Sequence, residues 1–189
     1  MLGRSDVGLE LNHDACRSRV AGGHRTIRTD VTAYPMERFI GWEGLIASPP
    51  CQDYSVAGKQ AGRSGDRGQL IDVVPDWVKT ICPRWVACEQ VPPCLPIWEE
   101  HAHQYRQLGY SVWTGILNSA NFGVPQTRRR AFLLASLDRP ALPPVPTHSV
   151  DTTPSLFSQP DPWVSMAAAL GWVDGLEADR RTNGRDGSP

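Results

Sequence analysis

The cysteine at position 51 lies where the sequence favours covalent chemistry. It belongs to the tetrapeptide Pro49-Pro50-Cys51-Gln52, directly after the strand-like run 44–48. Open α/β sheets carry their chemistry at the carboxyl ends of their strands, and two prolines restrict the backbone that holds the thiol. A thiol held in one orientation suits a nucleophile. From these residues alone, the alternative is a proline turn with an ordinary buried thiol.

Two further segments place polar groups where an apolar strand ends. Residues 85–88 lead directly into Glu89, which predicts a carboxylate at a strand end. Further along, Gln126, Arg128 and Arg130 alternate just before the predicted strand 131–135. On an extended backbone these three side chains point to one face, where two guanidiniums can grip a phosphate or a polarised oxygen.

Three motifs together resemble the DNA cytosine-5 methyltransferases. They are Pro-Pro-Cys-Gln at 49–52, Glu-x-Val at 89–91 and Gly-Val-Pro-Gln-x-Arg-x-Arg at 123–130, in that order and spacing. The resemblance covers roughly residues 7 to 137. It implies an α/β fold with a mostly parallel sheet of the S-adenosylmethionine-dependent methyltransferase (Rossmann-like) type. It also implies methyl transfer to carbon 5 of cytosine in DNA, the reaction of restriction-modification methyltransferases.

The resemblance assigns catalytic roles to four residues. Cys51 is expected to add to carbon 6 of a flipped-out cytosine, which makes carbon 5 nucleophilic. Glu89 is expected to hold the N3 and amino edge of the base, and Arg130 the ring carbonyl oxygen. Arg128 is expected to steady Cys51 and a neighbouring phosphate.

The loop after Gln52 is expected to close over the site from the DNA side. Residues 53–67 are rich in glycine and charge and are therefore not expected to pack as core. The side chains expected to contact DNA are Gln52, Ser55, Lys59, Arg63, Arg67 and Gln126.

S-adenosyl-L-methionine is the cofactor that the resemblance implies. The expected contacts are Glu10, Leu11, Asp30, Val31, Pro50 and Leu70. Glu10 ends a predicted strand and would accept hydrogen bonds from the ribose hydroxyls. Asp30 would bind the adenine amino group, and the Val31 backbone its ring nitrogen. Without the other motifs, Glu10 and Asp30 would be interpreted as a solvated strand end and a turn.

The chain departs from the family at both ends and at one internal position. The family's first strand with its Phe-x-Gly-x-Gly loop, its target-recognition region and its last helix have no counterpart here. Gln90 replaces the family's asparagine, which puts support of the Cys51 segment in doubt. The expectation is an N- and C-terminally truncated member with little or no activity, unless a second chain supplies the absent parts.

Proline content divides the chain into expected segments. Residues 1–138 form a partial catalytic domain, and 139–162 a proline-rich linker. Residues 163–172 form a short helix leading toward the recognition region, and 173–189 a disordered tail.

Charge and cysteine usage narrow the possible classes of protein further. A net charge of −1 over 189 residues argues against bulk electrostatic binding of nucleic acid. No signal peptide or membrane-length apolar run is visible, which predicts a cytoplasmic protein without a membrane partner. Five cysteines, an odd number, argue against a disulfide framework. The candidate metal ligands are Cys82, Cys88, Cys94, His101 and His103. They lack a Cys-x-x-Cys pair, so no metal is expected.

Three alternatives remain open from the sequence. One is cytosine-5 methylation of RNA, which shares the chemistry. Another is a non-catalytic remnant derived from a phage or mobile element. A thiol redox protein is disfavoured because the sequence shows no resolving cysteine near Cys51.

Overall fold

The computed structural model describes residues 6–54, 62–65, 68–153 and 160–172, and its longer strands form two sheets. The strands are β1 (Val7–Glu10), β2 (Arg25–Arg28), β3 (Gly44–Ala47), β4 (Trp85–Gln90), β5 (Ser111–Asn118), β6 (Arg129–Ser136), β7 (His148–Ser149) and β8 (Asp161–Pro162). The helices are α1 (His13–Ala21), α2 (Val74–Ile81), α3 (Leu95–Gln107) and α4 (Met166–Ala169). Single 3₁₀ turns lie at Met36–Phe39, Gly62–Ser64, Gly68–Val73, Pro92–Cys94 and Ser119–Phe122.

The larger sheet has the strand order β3-β4-β6-β5. β3 and β4 pair in parallel, whereas β6 is antiparallel to both β4 and β5. Three strands therefore run in one direction and β6 is the reversed strand, which confirms the predicted fold class. The smaller sheet is the parallel pair β1-β2. Among the described strands, none bridges the two sheets, so β1 and β3 each pair on one side.

One face of the larger sheet carries the main core. Side chains alternate along a strand, and on β4 Val86, Cys88 and Gln90 are buried, while on β6 Ala131 and Leu133 are fully enclosed. α2 and α3 cover this face. The largest enclosed side chains of α3 are Trp98, His101 and Tyr105. The carboxyl ends of β3 and β4 thus project from a packed layer, which positions the residues that follow them.

A second apolar cluster joins the two sheets. Phe39, Trp77 and Ile81 form its buried centre, and Leu9 of β1 packs against it. Leu45 of β3 contacts both this cluster and the main core. The strand ends of the smaller sheet are therefore attached to the same body as the ends of β3 and β4.

The start of the first helix follows from local sequence. The Asn12 side chain accepts hydrogen bonds from the amides of Asp14 and Ala15, at 2.9 and 3.0 Å. These are amides that have no partner within the helix, so Asn12 caps α1 as its residue type predicts. Gly23, with φ of 83°, follows the end of the helix.

Part of the proline-rich segment is docked on the sheet domain. The Asn121 backbone carbonyl accepts from the Thr147 amide at 3.0 Å, and its side-chain oxygen accepts from Trp163 Nε1 at 3.0 Å. β7 and β8 pair in parallel within this segment. The helix expected over 163–172 is the single turn α4, capped by Ser165. The predicted tail at 173–189 lies outside the described residues.

Candidate active site

Cys51 is exposed and follows the end of β3. The backbone pairing of β3 with β4 ends at Ala47 and Cys88. Beyond this point the Tyr54 amide donates to the Cys51 carbonyl at 3.0 Å, so that the chain turns directly after the thiol. The structure places the thiol at the carboxyl edge of the sheet, as the sequence predicts.

Gln90 holds the segment that carries Cys51. Its side-chain nitrogen donates to the Pro49 carbonyl at 2.7 Å, and its side-chain oxygen accepts from the Val91 amide at 2.7 Å. The side chain is buried. The sequence put support of the Cys51 segment in doubt, and in the structure the longer amide of Gln90 reaches the backbone of that segment at Pro49.

Glu89 lies between two partners at the same edge of the sheet. Arg130 Nε is 2.9 Å from Glu89 Oε1, and Ser48 Oγ donates to Glu89 Oε2 at 2.7 Å. The two members of the ion pair are about a quarter to a third exposed, so the pair is partly shielded from water. Ion pairs in such partly buried places are stronger than those on an open surface.

A cavity of about 380 Å³ opens beside this ion pair. Its polar lining includes Glu89, Arg128 and Arg130. The remaining lining residues are Leu117, Ser119, Phe122, Val124, Phe132 and Pro144. A lining that combines charged groups with apolar side chains suits a flat heteroaromatic ring with a polar edge. Cys51 and Gln126, both described, are not among the residues that line this cavity.

The turn after β5 fixes the backbone of Arg128. The Asn118 side-chain oxygen accepts from the Arg128 amide at 3.1 Å. The Ser119 amide and hydroxyl both donate to the Arg128 carbonyl, each at 3.1 Å. The sequence analysis gave no role in the site to Asn118 and Ser119. Both stand directly at the end of a predicted strand, where polar residues are a signal for a functional site.

The described part of the loop after Cys51 is bound to α3 and to the 3₁₀ segment Gly68–Val73. Arg63 pairs with Glu100 at 2.7 Å and with Asp72 at 3.0 Å, and these carboxylates raise the pKa of Arg63. Tyr54 donates from its hydroxyl to the Gly68 carbonyl at 2.7 Å. A phosphate contact by Arg63 would therefore compete with two carboxylates. Of the other expected DNA contacts, Ser55, Lys59 and Arg67 lie outside the described residues.

The buried cysteines differ from Cys51 in their environment. Burial raises the pKa of Cys88 to about 12. Burial, together with the charge of Cys51, raises the pKa of Cys94 to about 12. Cys94 is therefore a cysteine near Cys51 that the sequence did not reveal, but its high pKa disfavours the thiolate needed for disulfide exchange. In the described ranges, no group of three or more His, Cys, Asp or Glu side chains is placed to hold a metal ion.

Four of the expected cofactor residues, Glu10, Leu11, Asp30 and Val31, follow or end the strands of the smaller sheet, whereas Pro50 follows β3 and Leu70 lies in the 3₁₀ segment Gly68–Val73. Glu10 is the last residue of β1, and Thr29, next to Asp30, donates its amide to the Glu10 carbonyl at 3.0 Å. Two hydrogen bonds from Thr32 lower the pKa of Asp30. Leu11 is 61% exposed beside these carboxylates. Two acceptors and an open apolar surface fit the hydroxyl and amine donors and the flat adenine of the expected cofactor.

The fold is α/β, with a cysteine, a carboxylate and two arginines at the edge of the sheet where β3 and β4 end. The family described as C-5 cytosine-specific DNA methylase matches residues 10–163, and the chain belongs to it.

Curated relatives of this chain are Type II methyltransferases. The chain is 34% identical over 96 residues to the Type II methyltransferase M.MthTI of Methanothermobacter thermautotrophicus, covering 48% of this chain and 29% of the relative. It is 30% identical over 128 residues to the Type II methyltransferase M.FnuDI of Fusobacterium nucleatum, covering 65% of this chain and 35% of the relative. The chain thus spans about a third of the length of these two relatives.

Solved structures share the fold of this chain. A putative DNA modification methyltransferase encoded within a prophage of E. coli has a TM-score of 0.62 at 19% identity, covering 87% of this chain and 47% of that one. The Entamoeba histolytica methyltransferase EhMeth has a TM-score of 0.59 at 16% identity, covering 70% of this chain and 45% of that one. In the part of the chain that the structure describes, no helix combines the length and apolar character needed to cross a membrane.

Proposed function

We propose that this chain supplies the residues that form the covalent adduct with the target base during methyl transfer to carbon 5 of cytosine in DNA. The observation that supports it most is the Glu89–Arg130 pair at 2.9 Å, which faces a cavity with apolar walls. Cytosine presents its ring carbonyl, N3 and amino group side by side on one edge. An arginine and a carboxylic acid held side by side match that order of acceptors and donor.

Cys51 acts as the nucleophile in this proposal. Its thiolate adds to carbon 6 of the cytosine ring, and the ring electrons move so that carbon 5 becomes nucleophilic. S-adenosyl-L-methionine, when bound, supplies the methyl group. After transfer, a base removes the proton from carbon 5, and the electron pair of that bond expels the Cys51 thiolate from carbon 6.

Glu89 and Arg130 stabilise the ring while charge develops on it. Glu89 in its acid form donates to N3 and accepts from the amino group, which offsets the negative charge that thiolate addition puts on the ring. Arg130 donates to the ring carbonyl oxygen. Arg128 lies on the same cavity and is proposed to steady Cys51 and a phosphate next to the target base.

Residues at the end of the smaller sheet are proposed to hold the cofactor. Glu10 accepts from the ribose hydroxyls and Asp30 from the adenine amino group, while Leu11 packs on the adenine ring. The Val31 backbone binds a ring nitrogen. Pro50 and Leu70 are proposed to lie against the cofactor on the side of Cys51.

DNA is the proposed substrate, and its target base must leave the helix to reach Cys51. Gln52, Arg63 and Gln126 are proposed contacts within the described residues, and Ser55, Lys59 and Arg67 outside them. Because Arg63 is paired with Asp72 and Glu100, its contact with a phosphate requires those ion pairs to open.

Covalent trapping tests this function directly. Duplex DNA that carries 5-fluorocytosine has no proton to lose at carbon 5, so the elimination step stops. With S-adenosyl-L-methionine present, the chain should form a stable adduct with this DNA and Cys51→Ala should form none. Cys82→Ala, which removes the other exposed thiol, should react like the unsubstituted chain.

Either of two results would count against the proposal. One is an adduct formed by Cys51→Ala, because the nucleophile would then be another residue. The other is the absence of an adduct with the unsubstituted chain at saturating DNA and cofactor, which would favour a non-catalytic member of the family.

A further inference from the structure

The backbone pairing between β3 and β4 stops just before the active-site acid. The last paired residues are Ala47 and Cys88. A parallel strand pair continues through backbone N–H donors, but Pro49 and Pro50 have none. The segment that leads into Cys51 therefore needs hydrogen bonds from another source.

Two side chains supply those hydrogen bonds. Ser48 Oγ donates to Glu89 Oε2 at 2.7 Å, and Gln90 Nε2 donates to the Pro49 carbonyl at 2.7 Å. Gln90 is 2% exposed, and its side-chain oxygen also accepts from the Val91 amide. Both ends of the Gln90 amide are thus occupied, which fixes its orientation and that of the carbonyl it holds.

We propose that Ser48 and Gln90 are positioning residues that set the placement of the Cys51 thiol relative to the Glu89 carboxylate. The proposal rests on the proposed function of Cys51 and Glu89. Gln90 holds the chain two residues before the thiol, while Ser48 holds the oxygen of Glu89 that Arg130 does not. Neither side chain needs to touch the base, since each acts through a neighbour. An error of about 1 Å in such placement costs on the order of a hundredfold in rate.

The role of Ser48 is tested by the rate of adduct formation with 5-fluorocytosine duplex. Loss of the hydrogen bond that orients the Glu89 carboxyl group predicts a rate lower by about tenfold or more in Ser48→Ala, with unchanged cofactor affinity. Ser48→Thr keeps the hydroxyl and should restore the rate to within about threefold. Ser136→Ala removes a serine hydroxyl at the opposite end of the sheet, where it accepts from the Asp138 amide, and should react normally.

Two outcomes would overturn the role of Ser48. One is a folded Ser48→Ala chain that reacts at the unsubstituted rate. The other is Ser48→Thr reacting as slowly as Ser48→Ala, because the hydroxyl would then not be the important group.

The role of Gln90 is tested by amide hydrogen exchange, which needs no catalysis. In Gln90→Leu the Val91 amide loses its acceptor, and the Tyr54 amide, bonded to the Cys51 carbonyl, should lose protection as the segment loosens. Both should exchange faster by roughly fivefold or more, while core amides of α3 stay protected. Unchanged exchange at Tyr54 would overturn the proposal for Gln90. Failure of the unsubstituted chain to form an adduct would instead count against the proposed function.

Discussion

Arg130 Nε lies 2.9 Å from Glu89 Oε1, on adjacent antiparallel strands. The pairing register explains why these residues meet, because Glu89 lies opposite Phe132 and Arg130 is two residues away on the same face. The cation proposed to hold the ring carbonyl is therefore also the group that orients the acid. The two residues are expected to act as one unit, whose members do not contribute independently.

Glu89→Gln should slow methyl transfer by about two orders of magnitude or more, since a positioned acid is lost. Cofactor affinity should stay nearly unchanged, because Glu89 is not among the residues proposed to hold the cofactor. Single-turnover methyl transfer and calorimetric titration with S-adenosyl-L-methionine measure the two effects. Glu99→Gln, an exposed change on α3, is the matched control and should leave both unchanged. A loss of cofactor affinity in Glu89→Gln as large as its loss of methyl-transfer rate would contradict this division of roles.

Asp30→Ala should weaken binding of S-adenosyl-L-methionine by about tenfold or more, because a charged acceptor is removed from the adenine amino group. Titration calorimetry measures the affinity. Asp151→Ala is a close control, since Asp151 Oδ1 accepts from the Thr153 amide and hydroxyl just as Asp30 Oδ1 accepts from those of Thr32. The control should bind the cofactor normally. If both variants lose affinity alike, the effect belongs to the turn and not to a cofactor contact.

His101 should make folding stability fall as the solution becomes acidic. Burial lowers the pKa of His101 below its ordinary value of 6.5, although Asp72, at 3.3 Å, opposes that shift. Arg63 opposes protonation of His101 and Glu100 favours it. Below about pH 6.5 the unfolded chain binds a proton that the folded chain excludes, so the free energy of unfolding decreases toward the folded pKa.

Urea unfolding at about pH 7.5 and about pH 5.5 checks this sign. The loss of unfolding free energy between the two pH values should be smaller in His101→Phe than in the unsubstituted chain. His103 lies on the exposed side of α3. Between the two pH values, His103→Phe should lose as much unfolding free energy as the unsubstituted chain. An equal pH dependence in all three proteins would contradict the assignment to His101.

Leu133→Ala should lower the free energy of unfolding by about 2–5 kcal/mol, because it leaves a cavity in the core against α3. Leu133 is fully buried, whereas Leu142 is 70% exposed and serves as the control. Leu142→Ala should change stability by no more than about 0.5 kcal/mol. Chemical denaturation measures both. A loss in Leu133→Ala no larger than in the control would show that this face of the sheet is not the stabilising core.

The sequence by itself predicted the elements and most chemical groups of the site. Cys51 and Glu89 were recognisable because each follows a short apolar run that is typical of a strand. The cap that Asn12 forms on α1 is also local, since its side chain accepts from amides two and three residues further along the chain. The order of three short motifs then indicated the family, which the match over residues 10–163 confirms. These features depend on neighbours along the chain, so the sequence contains them directly.

Tertiary structure decided which groups meet across strands. The reversal of β6 between β4 and β5 brings Arg130 to Glu89, and no local signal specifies that register. The support that Gln90 gives to Pro49, 41 residues away, depends on the pairing of two strands at their ends. The pairing of Arg63 with Glu100 likewise depends on how the loop returns onto α3. Such contacts arise from packing over long chain separations, where the geometry of the whole sheet, and not residue type, determines the partner.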